Sequence, residues 1–216
     1  MFFQEAKIFL HNLFFPKKCL GCGKSDTYLC PDCFRQISLN CQPEIYLGWI
    51  ISATNYADPL IRKLIKSFKY HFARELSEPL SHLLIRLLEQ NFQFLISNSQ
   101  FIIIPIPLHK HKLRYRGFNQ AELLGQKIAE HFNLPIKTDI LKRTIPTSPQ
   151  VNIKNNEKRK ENIKNAFAIN PKQSVEGKTI ILIDDVATTG ATLIEASKIL
   201  KQNGTKQVWA LVVAKG

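Results

Sequence analysis

The chain has 216 residues, 30 Lys plus Arg against 17 Asp plus Glu, and a formal net charge of +13 at pH 7. At 44% hydrophobic and 22% charged it holds enough apolar side chains for one large or two small packed domains, which excludes a disordered polycation. No apolar run approaches the roughly 20 residues needed to span a bilayer, which excludes a transmembrane protein, and the lack of an uninterrupted apolar segment before a small-residue cleavage site predicts a cytoplasmic one.

Residues 1–42 hold the cysteines, with too little apolar periodicity to fold alone. Phe2, Phe3, Phe9, Phe14 and Phe15 are expected to pack on the core in preference to a membrane or a partner. Four of the five cysteines form two knuckles, Cys19-x-x-Cys22 and Cys30-x-x-Cys33. Two residues between cysteines let both thiolates face one ion, and two knuckles complete the tetrahedral shell of zinc. With all four positions filled by protein the zinc is structural and not catalytic. Cys41 is left over and reads as a buried apolar residue.

From Tyr56 to about Phe94, apolar positions at three- and four-residue spacing (Leu60, Leu64, Phe68; then Leu76, Leu80, Leu83, Leu84, Leu87, Leu88) predict two helices, a hairpin over 56–94. Phe101 to Ile106 is a continuous apolar run of the kind buried on both faces of a parallel sheet. A basic loop follows, in which His109 and His111 stand among lysines that disfavour a metal cation, so a phosphate-facing or solvated role is expected. A helix then starts at Asn119, with Glu122 as the reciprocating acid of its cap and Ala121, Leu124, Ile128 and Phe132 as its buried stripe. Residues 141–165 lose periodicity and read as a long loop. Between Pro107 and Asn165 stand thirteen Lys or Arg against five Asp or Glu, a field that attracts polyanions without choosing among them. Next come a strand from Thr179 to Ile183, a loop from Asp184 to Ala191, a helix to about Asn203 and a last strand from Gln207 to Ala214. Strands alternating with helices predict an α/β fold with a doubly wound parallel sheet over 101–216, inside a domain of residues 43–216 that follows a small N-terminal zinc-binding module.

The strand Thr179 to Ile183 delivers two adjacent acids, Asp184 and Asp185, into the crevice where open α/β sheets bind ligands. Directly after it, Thr188, Thr189, Gly190, Ala191 and Thr192 supply consecutive backbone N–H groups at a helix start, a phosphate cradle. Carboxylates cannot bind phosphate, so they face hydroxyls or a metal of the same ligand, and a phosphorylated sugar meets both demands. The competing interpretation is a helix start alone, with Thr192 and Glu195 as a capping box.

This segment resembles the 5-phosphoribosyl 1-diphosphate (PRPP) signature of type I phosphoribosyltransferases. In order along the chain, the knuckle, Phe68-Lys69-Tyr70, Pro105-Ile106-Pro107-Leu108, the run from Leu113 to Gln120, Gln150, Arg159 with Asn162, Ala166-Phe167 and the Asp184 to Thr192 loop resemble the ComF family, also described as GntX-like, whose members are associated with natural competence. The resemblance implies that Asp184 and Asp185 take the ribose hydroxyls and that Thr188, Thr189, Gly190, Ala191 and Thr192 take the 5-phosphate. It places Arg114, Arg116 and Gly117 at the diphosphate, draws Lys69 towards the site, and brings magnesium in with PRPP. Enzymes of this type that act on 6-oxopurines carry an acid where this chain has Thr188, so a substrate other than hypoxanthine or guanine is implied.

Three functions follow as expectations. One is phosphoribosyl transfer from PRPP to an unidentified acceptor, with the 141–165 loop closing over the site. Another is a PRPP-binding scaffold that meets a competence helicase or other DNA-uptake protein at the inner face of the cytoplasmic membrane. The third, single-stranded DNA contact through the basic face and knuckle, lacks an aromatic platform interleaved with the lysines.

Overall fold

The computed structural model describes residues 17–39, 45–70, 73–93, 101–145 and 165–216. The N-terminal phenylalanines, Cys41, Gln150, Arg159 and Asn162 lie outside the described residues. Five strands form one sheet: β1 (Ile45–Tyr46), β2 (Ile50–Asn55), β3 (Phe101–Pro105), β6 (Thr179–Ala187) and β7 (Gln207–Lys215), in the order β1-β2-β7-β6-β3. All neighbours are parallel except the edge pair β1 and β2. A second ribbon pairs β4 (Leu141–Arg143) antiparallel with β5 (Phe167–Ile169).

Alternation along the strands splits the core into two layers. Ile103, Ile181, Ile183, Leu211 and Val213 pack with α2 (Pro59–Tyr70), α3 (Ser77–Asn91) and α5 (Gln120–Phe132) on one face. Ile104, Ile180, Leu182, Ala210 and Val212 pack on the other with α6 (Ala191–Gln202) and the β4–β5 ribbon. The doubly wound α/β sheet expected from the sequence is therefore present. Because its central strands are parallel, their carboxyl ends lie along one edge, and the segments after β3 and β6, which are adjacent strands, meet there.

The details depart from expectation in four places. β2 is a buried strand where none was predicted; Ser52 and Thr54 mask it, and their hydroxyls donate to the carbonyls of Thr54 and Val213, both at 2.7 Å. The basic loop after β3 folds into α4 (Lys110–Arg116), whose N-cap is His109 and whose C-cap Gly117 has the left-handed φ of +74° that glycine adopts freely. β6 continues through both acids to Ala187, which leaves only three residues before α6. The stretch predicted as a loop over 141–165 begins in one strand of the ribbon, β4, and the other, β5, starts two residues after its predicted end.

The expected cap of α5 is present at Asn119, whose side chain accepts from Ala121 N at 3.2 Å and donates to the Ile106 carbonyl at 3.1 Å. Glu122 instead accepts from Gln126. Around the cysteines, Leu20, Tyr28, Leu29 and Phe34 pack against the layer that contains α2 and α3, and the Lys17 ammonium meets Glu75 at 2.5 Å.

Candidate functional site

The cysteine centre is built by local hydrogen bonding. Gly23 N donates to the Cys19 carbonyl and Cys19 N to the Lys24 carbonyl, both at 2.8 Å, which closes the first knuckle. Cys30 caps the five-residue helix α1 (Pro31–Arg35), which carries Cys33. The four Sγ atoms lie within 4.8 Å of one another, Cys22 and Cys30 at 3.6 Å. A tetrahedral ion with bonds of about 2.3 Å to sulfur separates its ligands by about 3.8 Å, so the cluster is compatible with structural zinc. Burial opposes ionisation of Cys19, yet the N–H groups of Cys22, Cys30 and Gly21 aimed at its sulfur pull the thiol down to about 6. The hydrogen bond with Cys30, burial and the other two cysteines push Cys33 up to about 12. Thiols this close ionise together only when a cation neutralises them.

The second constellation stands at the carboxyl end of β6. Successive strand residues face opposite sides of the sheet. Asp185, 5% exposed, turns to the α2 layer and pairs with Lys69 Nζ at 2.6 Å. Asp184 lies within reach of the charge on Arg143 and accepts from Asp185 N at 2.8 Å. Burial, then the Asp185 carboxylate, push Asp184 up to about 7 against the opposing pull of Lys69 and Arg143. Burial disfavours the charge on Lys69, but Asp185 and then Asp184 hold its pKa above the ordinary lysine range.

After the acids, Gly216 N donates to the Ala187 carbonyl and fixes the strand end. Thr188 and Thr189 lead to Gly190, the N-cap of α6, at φ +71° and ψ 1°. Thr189 Oγ1 accepts from Ala191 N at 3.4 Å. The first N–H groups of a helix have no intrahelical acceptors, and here they open, with Asp184, onto one small concavity lined by residues 186–193. Thr192 lies inside α6 and Glu195 accepts from Asn165 N at 2.8 Å, so the capping box does not form.

The third group is α4. Arg116 donates to Gln120 Oε1 at 2.8 Å and stacks over the Tyr70 ring at 5.2 Å, next to Lys69. Arg114 and Gly117 are exposed, and among the described residues Arg114 makes no ion pair. Acids, cradle and Arg116 thus meet at one sheet edge, with Lys69 between the acids and Arg116. Two cations of this neighbourhood were missed in the sequence, Lys112 and Arg143. Lys112 stands four residues before Arg116 on the same helix face, a signal that spacing carries once α4 is known to be a helix. Nothing local marks Arg143, which its pairing with Phe167 brings to Asp184.

Comparison with known proteins agrees with this architecture. Residues 119–216 match the model of the phosphoribosyl transferase domain. The chain is 32% identical over 207 residues to Competence protein F of Haemophilus influenzae, covering 91% of this chain and 84% of that one. It is 31% identical to DNA utilization protein YhgH of Escherichia coli K12, covering 89% and 87%, and 30% identical to Competence protein ComFC of Bacillus subtilis, covering 87% and 79%. With the four-cysteine cluster ahead of a phosphoribosyltransferase-like sheet, the chain belongs to the ComF family.

Proposed function

We propose that the protein binds magnesium PRPP at the edge formed by β3 and β6 and acts in the handling of incoming DNA, as the names of its competence and DNA utilization relatives suggest. The observation that carries the proposal is one concavity that joins the strand-end acid Asp184 to a glycine-led helix N-terminus, with Asp185 adjacent on β6, because a phosphorylated sugar needs hydroxyl acceptors and phosphate donors at a fixed separation.

In this reading Asp184 and Asp185 accept from the ribose hydroxyls. The N–H groups and hydroxyls from Thr188 to Thr192 hold the 5-phosphate, and Arg116 serves the diphosphate. Magnesium would enter with PRPP and neutralise diphosphate charge, and Asp184 and Asp185 are the carboxylates of this site that would hold it together with the ligand. Transfer breaks the bond between ribose C1 and the diphosphate oxygen, and the electron pair leaves with the diphosphate. An acceptor nitrogen bonds to C1 and gives up its proton to solvent. Residues 146–164, within the loop expected to close over the site, lie outside the described residues.

The experiment reads natural transformation in the host of this protein together with diphosphate release in vitro. The variant that combines Asp184→Ala and Asp185→Ala is expected to stay folded and zinc-loaded while it loses transformation and PRPP-dependent diphosphate release. Normal transformation by that variant at native protein levels leaves a scaffold role, which knuckle substitutions alone abolish.

A further inference from the structure

We propose that the groove between α6 and the turn that joins β1 to β2 docks an acidic amphipathic helix of a partner protein, with one apolar side chain of that helix seated on Trp49 and Ile194 and its carboxylates paired with Lys198 and Lys201. This surface lies away from the proposed PRPP site. Trp49 immediately precedes β2, at the amino edge of the parallel strands, whereas the acids and the cradle stand at the carboxyl end of β6.

The groove has a volume of about 480 Å³ and is lined by Trp49, Ile194, Ser197, Lys198, Lys201 and Gln202. Ile194, Lys198 and Lys201 recur at four- and three-residue spacing, so they form one outward stripe of α6, and Ile194 is 40% exposed. Trp49 is fixed from two sides. Its side chain packs against the core layer that contains Ile180 and Ala210, and its carbonyl accepts from Ala210 N at 3.0 Å. The same turn exposes Leu47 at φ +56°, a left-handed conformation that bulky residues rarely adopt. The hairpin thus holds apolar side chains toward solvent where a turn usually presents polar ones.

Charge selects the class of occupant. No Asp or Glu lines the groove, and Glu195, the one acid of α6, is buried and accepts from Asn165 N at 2.8 Å. Among the described residues Lys198 and Lys201 make no ion pair. Two ammonium groups beside an apolar floor match carboxylates beside an apolar anchor. A lipid surface would require the apolar side chains to project, and Trp49 is half-buried in a concavity. A nucleic acid strand would need successive aromatic rings along a track of cations, whereas one ring and two lysines line this groove. A helix that lays an apolar stripe flanked by acids into the groove meets each of these conditions. Tryptophan is also a residue type on which protein interfaces concentrate their binding energy.

The test titrates the full, zinc-loaded chain with helical peptides of about four turns. One carries Leu at every third or fourth position flanked by Glu, another has Ala in place of Leu, and a third has Lys in place of Glu. The Leu/Glu peptide is expected to bind at a single site, and the other two at least about tenfold more weakly. Trp49→Ala should weaken the Leu/Glu peptide about tenfold or more. Because Trp49 also packs on the core and its loss can loosen the hairpin, the variant that combines Lys198→Glu and Lys201→Glu, both exposed, is measured beside it. That variant should lose the Leu/Glu peptide to a similar degree and gain the Leu/Lys peptide. Oligothymidylate and phosphatidylglycerol vesicles, titrated in parallel, are expected to bind the wild type and Trp49→Ala equally.

Equal affinity for the Leu/Glu and Ala/Glu peptides overturns the proposal, because the net charge of +13 alone then accounts for binding. Absence of binding, or binding that neither variant changes, overturns it as well. A loss that falls on oligothymidylate or on the vesicles and spares the peptide assigns the groove to nucleic acid or to lipid, and that outcome also overturns it.

Discussion

Burial and the Asp185 carboxylate push Asp184 up to about 7, so this side chain keeps its proton in the folded chain at pH values where the unfolded chain has released it. The folded state then binds more protons between about pH 4 and pH 7, and stability falls as pH rises through that window. Asp184→Asn removes the penalty. The ligand-free variant should melt at a higher temperature than the wild type, with a larger gain at pH 8 than at pH 5.5, and should bind PRPP more weakly. Each kcal/mol corresponds to roughly 2–4 °C for a chain of this size. Equal melting temperatures of the two proteins at pH 8 would show that Asp184 is not strained. At this scale the sequence was informative where chemistry is contiguous: the two acids and the cradle are consecutive, and so are the knuckles. Lys112 and Arg143 were hidden among thirteen cations of one region, because only helix phase and ribbon register separate them from the solvated ones.

At the scale of elements, the first knuckle is closed so tightly that a side chain at Gly21 has no room: a Cβ there would lie 2.6 Å from Cys33 Sγ and 3.1 Å from its Cβ. Cys33 is buried and held among three other sulfurs, so the neighbour cannot move aside without opening the cluster. Gly21→Ala is expected to lower zinc affinity tenfold or more and to make residues 17–39 sensitive to protease, as chelation should in the wild type, because binding free energies of roughly 10–16 kcal/mol organise such modules. One zinc per chain by elemental analysis, retained by the wild type and partly lost by Gly21→Ala, is the expected result; a metal-free wild type with full protease resistance would refute it. Elements with strong periodicity or unbroken apolar runs, α3, α5, β3 and β7, were legible in the sequence. β2 was not, because its buried hydroxyls satisfy themselves on backbone carbonyls and so break the apolar pattern that a central strand shows. α4 was not, because a seven-residue helix with four Lys or Arg and one His carries no buried stripe of its own.

For the whole molecule, the net charge of +13 is a long-range property that draws any polyanion and is weakened by salt. The proposed ligand site is different in kind: acids, cradle and cations converge at one edge because three parallel strands, β3, β6 and β7, end there together. The central claim is that this edge, and not the general field, binds PRPP. Calorimetric titration of the full chain with magnesium PRPP tests it most directly, comparing the wild type with Asp185→Ala and Gly190→Val. The account predicts one site per chain in the wild type and at least tenfold weaker binding in both variants. Asp185→Ala loses hydrogen bonds worth about 1.5–3 kcal/mol each, and Gly190→Val forces a branched side chain into a left-handed position where the ligand backbone contacts must form. An unaltered dissociation constant in either variant, with affinity that responds only to salt, would contradict it.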